Sequence, residues 1–323
     1  SFSPSINVLI GENAQGKTNL VESIYFLAMS RSHRSSRDRE LIRWDSDFAK
    51  VNCQLIKKSH SVPLEIVLSK RGKIAKMNHL EQRKLSDYIG QLNVILFAPE
   101  DLSLVKGSPS VRRRFIDMEL GQMSQVYLYD LVQYQRLLKQ RNLYLKQLLS
   151  RQAKDLVYLE VLTDQLAIQA ASIIKARLTF VEQLEKWADP LHHQISNGKE
   201  NLRIRYKSTI DYKKTDDKDQ LFEKLIAEQK RVADREREQG STLFGPHRDD
   251  LVFYVNDKNV HQFGSQGQQR TTVLSMKLAE IECMKTMIGE YPVLLLDDVL
   301  SELDDERQTH LLKSIETKVQ TFL

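Results

Sequence analysis

Ile6 to Ile10 is a short apolar run that stops at Gly11, the form of a buried parallel strand. Thr18 to Ala28 follows with Leu20, Ile24 and Leu27 on one face, which predicts a helix. Phe48 to Ile56, Val62 to Leu68 and Leu92 to Phe97 are rich in β-branched residues and separated by polar turns, so they predict strands. From Val111 to about Trp187 the texture changes. Leu131, Tyr134 and Leu138, then Leu159, Leu162 and Leu166, and later Ile173 and Leu184 recur at helical spacing. No proline lies between Pro109 and Pro190, and Gly121 is the only glycine of that stretch. A helical hairpin turning near Arg151 to Asp155 is expected, and the heptad phase is too short-lived for a coiled coil. Beyond Pro190 comes a mixed stretch, then a charged helix from Asp219 to Glu238. Leu251 to Val255 reads as a strand followed by an Asn256-Asp257 turn, Gln268 to Met287 as a helix, and Val293 to Leu296 as a second buried strand.

The 323 residues can bury one large core or two modest ones. No apolar run is expected to approach the ~20 residues of a membrane span, and nothing at the start resembles a signal peptide. Because the chain opens on Ser1 almost directly into a strand, the natural protein is expected to extend further at that end. Cys53 and Cys283 have no metal-ligand spacing and suit small interior residues of a reducing compartment. The net charge of +5 is uneven: Arg31 to Lys84 holds fourteen Lys and Arg against six Asp and Glu. Such a local excess suits either a polyanion-binding face or a solvated surface.

Gly11-Glu12-Asn13-Ala14-Gln15-Gly16-Lys17-Thr18 carries two glycines and a terminal Lys-Thr at the spacing of a phosphate-binding loop, between a strand and a helix. Lys17 would offer a point charge to the β- and γ-phosphates of ATP, and Thr18 a hydroxyl to Mg²⁺. Val293 to Leu296 ends in Asp297-Asp298, an apolar strand leading into two carboxylates. Asp297 suits a metal and Asp298 the attacking water. Ser265-Gln266-Gly267-Gln268 opens a helix with Ser265 as its N-cap, about thirty residues ahead of that strand.

These motifs, in this order, resemble the ABC-type ATPases of the SMC-like branch, and most of all the RecF family. Gly11 to Asn19, Leu96 to Leu102, Arg112 to Asp117, Phe244 to Asp250, Phe263 to Thr271 and Leu294 to Asp304 all look like RecF segments. The resemblance implies an α/β fold, an ABC-type head whose mixed-sheet lobe holds the phosphate loop, plus a helical second lobe. The expected division is 1–109 with 240–323 for the ATPase lobe and its strand-rich subdomain, and an inserted helical lobe at 110–239. It implies that Ser265, Gln266, Gly267 and Gln268 form a signature acting in trans on ATP held by a second subunit. Ser301 and Asp304 would belong to the D-loop. Slow hydrolysis with Asp298 and Lys17 as catalytic residues, an ATP-closed homodimer, DNA binding, and work with RecO and RecR in loading RecA follow from the same resemblance, in a cytoplasmic protein.

Two features depart from the ABC pattern. Pro99-Glu100-Asp101 stands where a Gln is usual, and the chain stops at Leu323 before the expected switch region. Arg34, Arg37 and Arg39 are candidate DNA contacts, and His247 suits a structural turn better than a metal ligand. A transporter's nucleotide-binding subunit and a non-hydrolysing ATP-bound scaffold are the rival readings. The long helical insertion disfavours the first, and the Asp297-Asp298 pair disfavours the second.

Overall fold

The computed structural model describes residues 2–12, 16–35, 37–57, 60–298, 300, 303–315 and 318–323. Strand β1 (Ile6–Asn7) and helix α1 (Lys17–Met29) open the chain. Four antiparallel strands follow, β2 (Phe48–Ile56), β3 (Ser61–Ser69), β4 (Gly72–Met77) and β5 (Leu80–Glu81), then α2 (Leu85–Tyr88) and β6 (Val94–Phe97). The helical part comprises α3 (Ser103–Lys106), α4 (Pro109–Met123), α5 (Gln125–Leu149) and α6 (Leu156–Ile195), with β7 (Leu202–Lys207) and α7 (Lys218–Gln239) after it. The chain returns through β8 (Asp250–Val255), β9 (Lys258–Asn259), α8 (Val260–Phe263), α9 (Gln266–Ile288), β10 (Val293–Leu296), α10 (Asp305–Ile315) and β11 (Thr321–Phe322).

The central sheet is parallel, in the order β1-β11-β10-β6. Side chains alternate across it, as strand geometry requires. Ile95, Phe97, Leu294 and Leu296 face α9 and α10, packing with Leu274, Leu278, Ile281 and Leu311. Val94 and Leu295 face the other way, towards Tyr25 and Phe26 of α1 and the buried row Val62, Leu64, Ile66 and Leu68 of β3. A strand covered on both faces must be apolar throughout, which is why Val293 to Leu296 has no polar residue.

The helical hairpin turns between α5 and α6, where Asp155 caps α6 by accepting from the N–H groups of Val157 and Tyr158. Helix α6 does not stop at Pro190. It continues to Ile195, because Leu191, His192 and Ile195 bury on the far side and outweigh the lost backbone bond. Contrary to expectation, α6 is long and apolar enough, by length and composition, to cross a membrane. Half of its most apolar stretch is buried, with Leu166, Ala170, Ile173, Phe180 and Leu184 at the centre of the largest core.

Two further differences concern strands. Leu202, Ile204 and Tyr206 alternate with Arg203, Arg205 and Lys207 and form β7, which pairs antiparallel with β8 from Leu202↔Val255 to Lys207↔Asp250. A strand of the segment expected to be helical thus shares a sheet with the segment expected to return to the ATPase lobe. The Ile6 to Ile10 run is regular only at Ile6–Asn7, and Val8 and Ile10 are exposed. Pairing with the last strand continues beyond Asn7 through Leu9 N, which donates to Leu323 O at 2.6 Å, and β1 is the edge strand among the described residues.

Candidate nucleotide-binding site

In a parallel sheet, loops leaving the C-terminal ends of the strands converge on one rim. The loop after β1 and the acidic pair after β10 both leave that rim, with β11 between their strands. Gly16 sits at φ 91°, the left-handed region that glycine enters at little cost. No atom lies within 4 Å of where a Cβ would stand, so the backbone angle rather than crowding calls for glycine. Gly16 is also the N-cap of α1, and its carbonyl accepts the first helical bond from Leu20 N at 3.1 Å. The positive end of α1 therefore points at the loop. Lys17 Nζ donates to the carbonyl oxygens of Gly11 and, at 3.2 Å, Glu12. Thr18 is half-buried and Asn19 exposed. Asn13, Ala14 and Gln15 of the loop, and Ser301 and Glu302 beyond the acidic strand, lie outside the described residues.

Asp297 prolongs the β10–β6 ladder by donating its N–H to Phe97 O at 3.0 Å, which fixes its backbone at the rim. Asp298 follows at φ 54°, a left-handed turn that a non-glycine residue adopts at a cost of ~1–3 kcal/mol. The turn sets the two carboxylates in different directions, Asp297 half-buried and Asp298 exposed.

The structure adds a residue that the sequence did not flag. His33 Nδ1 lies 2.5 Å from Glu22 Oε2 of α1, and His33 Nε2 lies 3.4 Å from Asp297 Oδ2. Tyr25 packs edge-on against the imidazole, with ring centroids 5.3 Å apart. Burial alone would lower the His33 pKa, but the two carboxylates outweigh it and hold it above the ordinary histidine value. Burial would likewise raise Glu22, and the hydrogen bonds from His33 and Ser32 bring it below the usual range. The imidazole thus ties the phosphate-loop helix to the acidic strand. The one clue in the sequence was its place just after α1.

Among the described residues no three His, Cys, Asp or Glu side chains converge to hold a metal unaided. Mg²⁺ needs no such cluster, since it commonly takes one or two protein oxygens, which Asp297 and Thr18 could supply, and completes its shell with phosphates and water. At Pro99–Leu102, Asp101 Oδ2 accepts from Ala98 N at 2.9 Å, which commits that carboxylate to its own turn. Glu100 is the one exposed to solvent.

Ser265 caps α9 as expected: its Oγ accepts from Gln268 N at 3.2 Å while Gln268 Oε1 accepts from Ser265 N at 3.0 Å. Gln268 Nε2 donates to Glu200 Oε1 at 2.8 Å. Its amide is therefore committed within the subunit, and Ser265 and Gln266 are the exposed residues of the segment. Asp304 accepts from Arg307 N at 3.0 Å and starts α10.

The Phe244 to Asp250 segment turns out to be a fastening. His247 Nδ1 and Tyr134 Oη are 2.6 Å apart, and burial brings the imidazole down to about 4. Asp249 accepts from Tyr206 Oη, Ser208 Oγ and Thr209 N, and Asp250 takes both forks of Arg112 at 2.7 and 3.0 Å. Arg34, Arg37 and Arg39 are exposed on the loop that carries His33. Lys50, Lys70, Lys73 and Lys76 pair with Glu65, Asp47 and Asp38, acidic residues of the same stretch, so these four lysines have local ion-pair partners.

The profile of the RecF/RecN/SMC N terminal domain matches residues 1–323. The chain is 62% identical over 323 residues to the DNA replication and repair protein RecF of Latilactobacillus sakei subsp. sakei (strain 23K), spanning all of this chain and 86% of that protein. It is 56% identical over 322 residues to the RecF of Bacillus subtilis (strain 168), spanning 87% of it. Among solved structures, the recombination mediator protein RecF of the RecFOR pathway with ATP superposes with a TM-score of 0.92 at 34% identity. That match covers this whole chain and 86% of the other, and a second RecF structure, described as RecF-ATPrS, matches equally.

Proposed function

The chain belongs to the RecF/RecN/SMC family, among its RecF proteins of DNA replication and repair, and from that premise we propose that it is an ATP-driven DNA clamp. ATP binds at the phosphate loop and two subunits close over it. Lys17 neutralises the β- and γ-phosphates, and Gly11 to Asn19 cradle them. Thr18 and Asp297 hold Mg²⁺, which supplies charge neutralisation between the phosphates. Asp298 orients the attacking water, and Ser265, Gln266 and Gly267 close over the nucleotide of the other subunit. Hydrolysis is slow and releases the clamp. Arg34, Arg37 and Arg39 contact duplex phosphates near gaps or junctions. The partners are RecO and RecR, the product is RecA loaded on single strands, and the compartment is the cytoplasm. The division into an ATPase lobe (1–109 and 240–323) and an inserted helical lobe (110–239) belongs to the same proposal.

One observation carries most of this reading. The left-handed Gly16 with Lys17 beside it, and Asp297 with Asp298, stand on one rim of one parallel sheet. His33 links Glu22, on the helix that follows the first motif, to Asp297 of the second. The test is Asp298→Asn. It keeps the size of the side chain and removes only its charge, so Mg-ATP should bind with wild-type affinity, turnover should nearly vanish and the dimer should accumulate. Wild-type turnover in that variant would move the catalytic role to another residue.

A further inference from the structure

The signature segment and the D-loop stand far apart in sequence, yet one side chain holds both. Arg307, in the first turn of α10, donates from Nη2 to Gly267 O at 3.1 Å and from Nε and Nη2 to Thr271 Oγ1 at 3.0 and 2.7 Å. Its Nη1 donates to the Asp304 carboxylate. Four of the five guanidinium N–H groups are thereby used, on three acceptors from two segments. Its neighbour Gln308 holds two described backbone carbonyls of the loop, Nε2 donating to Leu300 O at 2.8 Å and Leu303 O at 2.9 Å.

An Arg–Asp pair three residues apart on an exposed helix would be an ordinary surface ion pair, worth little. Arg307 is different because its other bonds cross to a buried threonine 36 residues away in the chain. From this geometry we infer that Arg307 is a positioning residue that locks the D-loop to the signature segment. The two surfaces offered to the partner subunit's nucleotide are then presented as one rigid unit. The inference rests on the shared-site reading above, and adds which residue sets the shape of the closing surface. Lysine cannot replace it, since a single ammonium cannot span the three acceptors as the planar fork does.

The test uses the whole chain in five variants: Arg307→Ala, Arg307→Lys, Thr271→Val, Ser265→Arg and Lys17→Ala. Arg307→Ala should keep ATP affinity in calorimetry, because the phosphate loop is untouched. Its ATP-driven dimerisation should weaken by about tenfold or more, the scale of one lost charge-assisted hydrogen bond. Turnover should fall in kcat with KM held, and Arg307→Lys should not restore it. Thr271→Val removes two of the four bonds with little change of shape, and should move the same way by less. The decisive step is mixing Arg307→Ala with Lys17→Ala. One composite site then has an intact loop facing an intact closing surface, so turnover should return, which a defect confined to the fold of one subunit would not allow. If that mixture stays silent while Ser265→Arg with Lys17→Ala recovers, Arg307 does not act across the interface and the inference is wrong. If neither mixture recovers, the shared site itself is wrong and the inference falls with it. Wild-type dimerisation by Arg307→Ala would also overturn it.

Discussion

Arg141 is a fully buried guanidinium on α5, and its removal should be among the costliest single changes in the helical part. It grips Glu236 of α7 through Nη1 at 3.1 Å and Nη2 at 2.7 Å, and donates to Thr163 Oγ1 at 2.9 Å and Thr242 Oγ1 at 2.8 Å. Its guanidinium lies 5.3 Å from the centre of the Phe244 ring. Glu236 is 1% exposed, so Arg141→Leu would leave a carboxylate in the core with Leu243 N, at 2.8 Å, as its main donor. Breaking a buried pair from one side costs ~3–5 kcal/mol, because the remaining charge has lost its counter-charge and is out of reach of water. At ~2.1 cal/mol/K per residue, unfolding 323 residues carries an entropy near ~0.7 kcal/mol/K, so a loss of ~4 kcal/mol should lower Tm by about 6 °C. Calorimetric melting of Arg141→Leu, Glu236→Leu and the double variant measures this. The double variant should recover much of the loss, since it leaves no orphaned charge. ATP affinity should stay at the wild-type value, as neither residue touches the phosphate loop or the acidic strand. A single-variant loss under ~1 kcal/mol, or a double variant worse than both singles, would refute the argument.

Two further outcomes are expected. Replacing Arg34, Arg37 and Arg39 together by alanine should weaken duplex binding uniformly across sequences and flatten its salt dependence by about three phosphate contacts' worth; an unchanged salt slope would put the DNA on another face. Burial pushes Glu119 up from 4.5 to about 7, against the pull of Lys277. Between those values the folded state holds a proton the unfolded chain has released, so stability falls as pH rises through that window. Burial raises Glu280, beside the same Lys277, in the same direction, so Glu119→Gln should lessen the fall without abolishing it, and melting curves between pH 5 and 8 with the same slope in both proteins would contradict the assignment.

The parts legible in the sequence were those whose cause is local. The Gly11 to Thr18 motif lies within eight residues, and the left-handed angle of Gly16 that its spacing suggests is present. The Val293 to Leu296 strand needs only to be apolar on both faces, and the capping box of Ser265 with Gln268 closes within one turn. What escaped depends on distant partners. β7 exists because Leu202 to Lys207 finds β8 about fifty residues later, although its alternation was present in the sequence. Helix α6 passes Pro190 because Leu191 and Ile195 meet a core built from α9 and α10. His33 has meaning only beside Asp297, at the other end of the chain. Gln268 was expected to act in trans with the rest of the signature, but its amide donates to Glu200 of its own chain, and the choice between Glu100 and Asp101 stays open in sequence because it turns on the hydrogen bond that Asp101 accepts from Ala98 N.

The central claim is that ATP held by the Gly11 to Asn19 loop closes two copies of this chain. Analytical ultracentrifugation tests it most directly, on wild type and Lys17→Ala, each without nucleotide and with saturating Mg-ATP. Wild type should be a monomer without nucleotide and a dimer with Mg-ATP, and Lys17→Ala should be a monomer in both conditions. A wild-type protein that stays monomeric with ATP bound, or a Lys17→Ala protein that dimerises on ATP as wild type does, would contradict that claim.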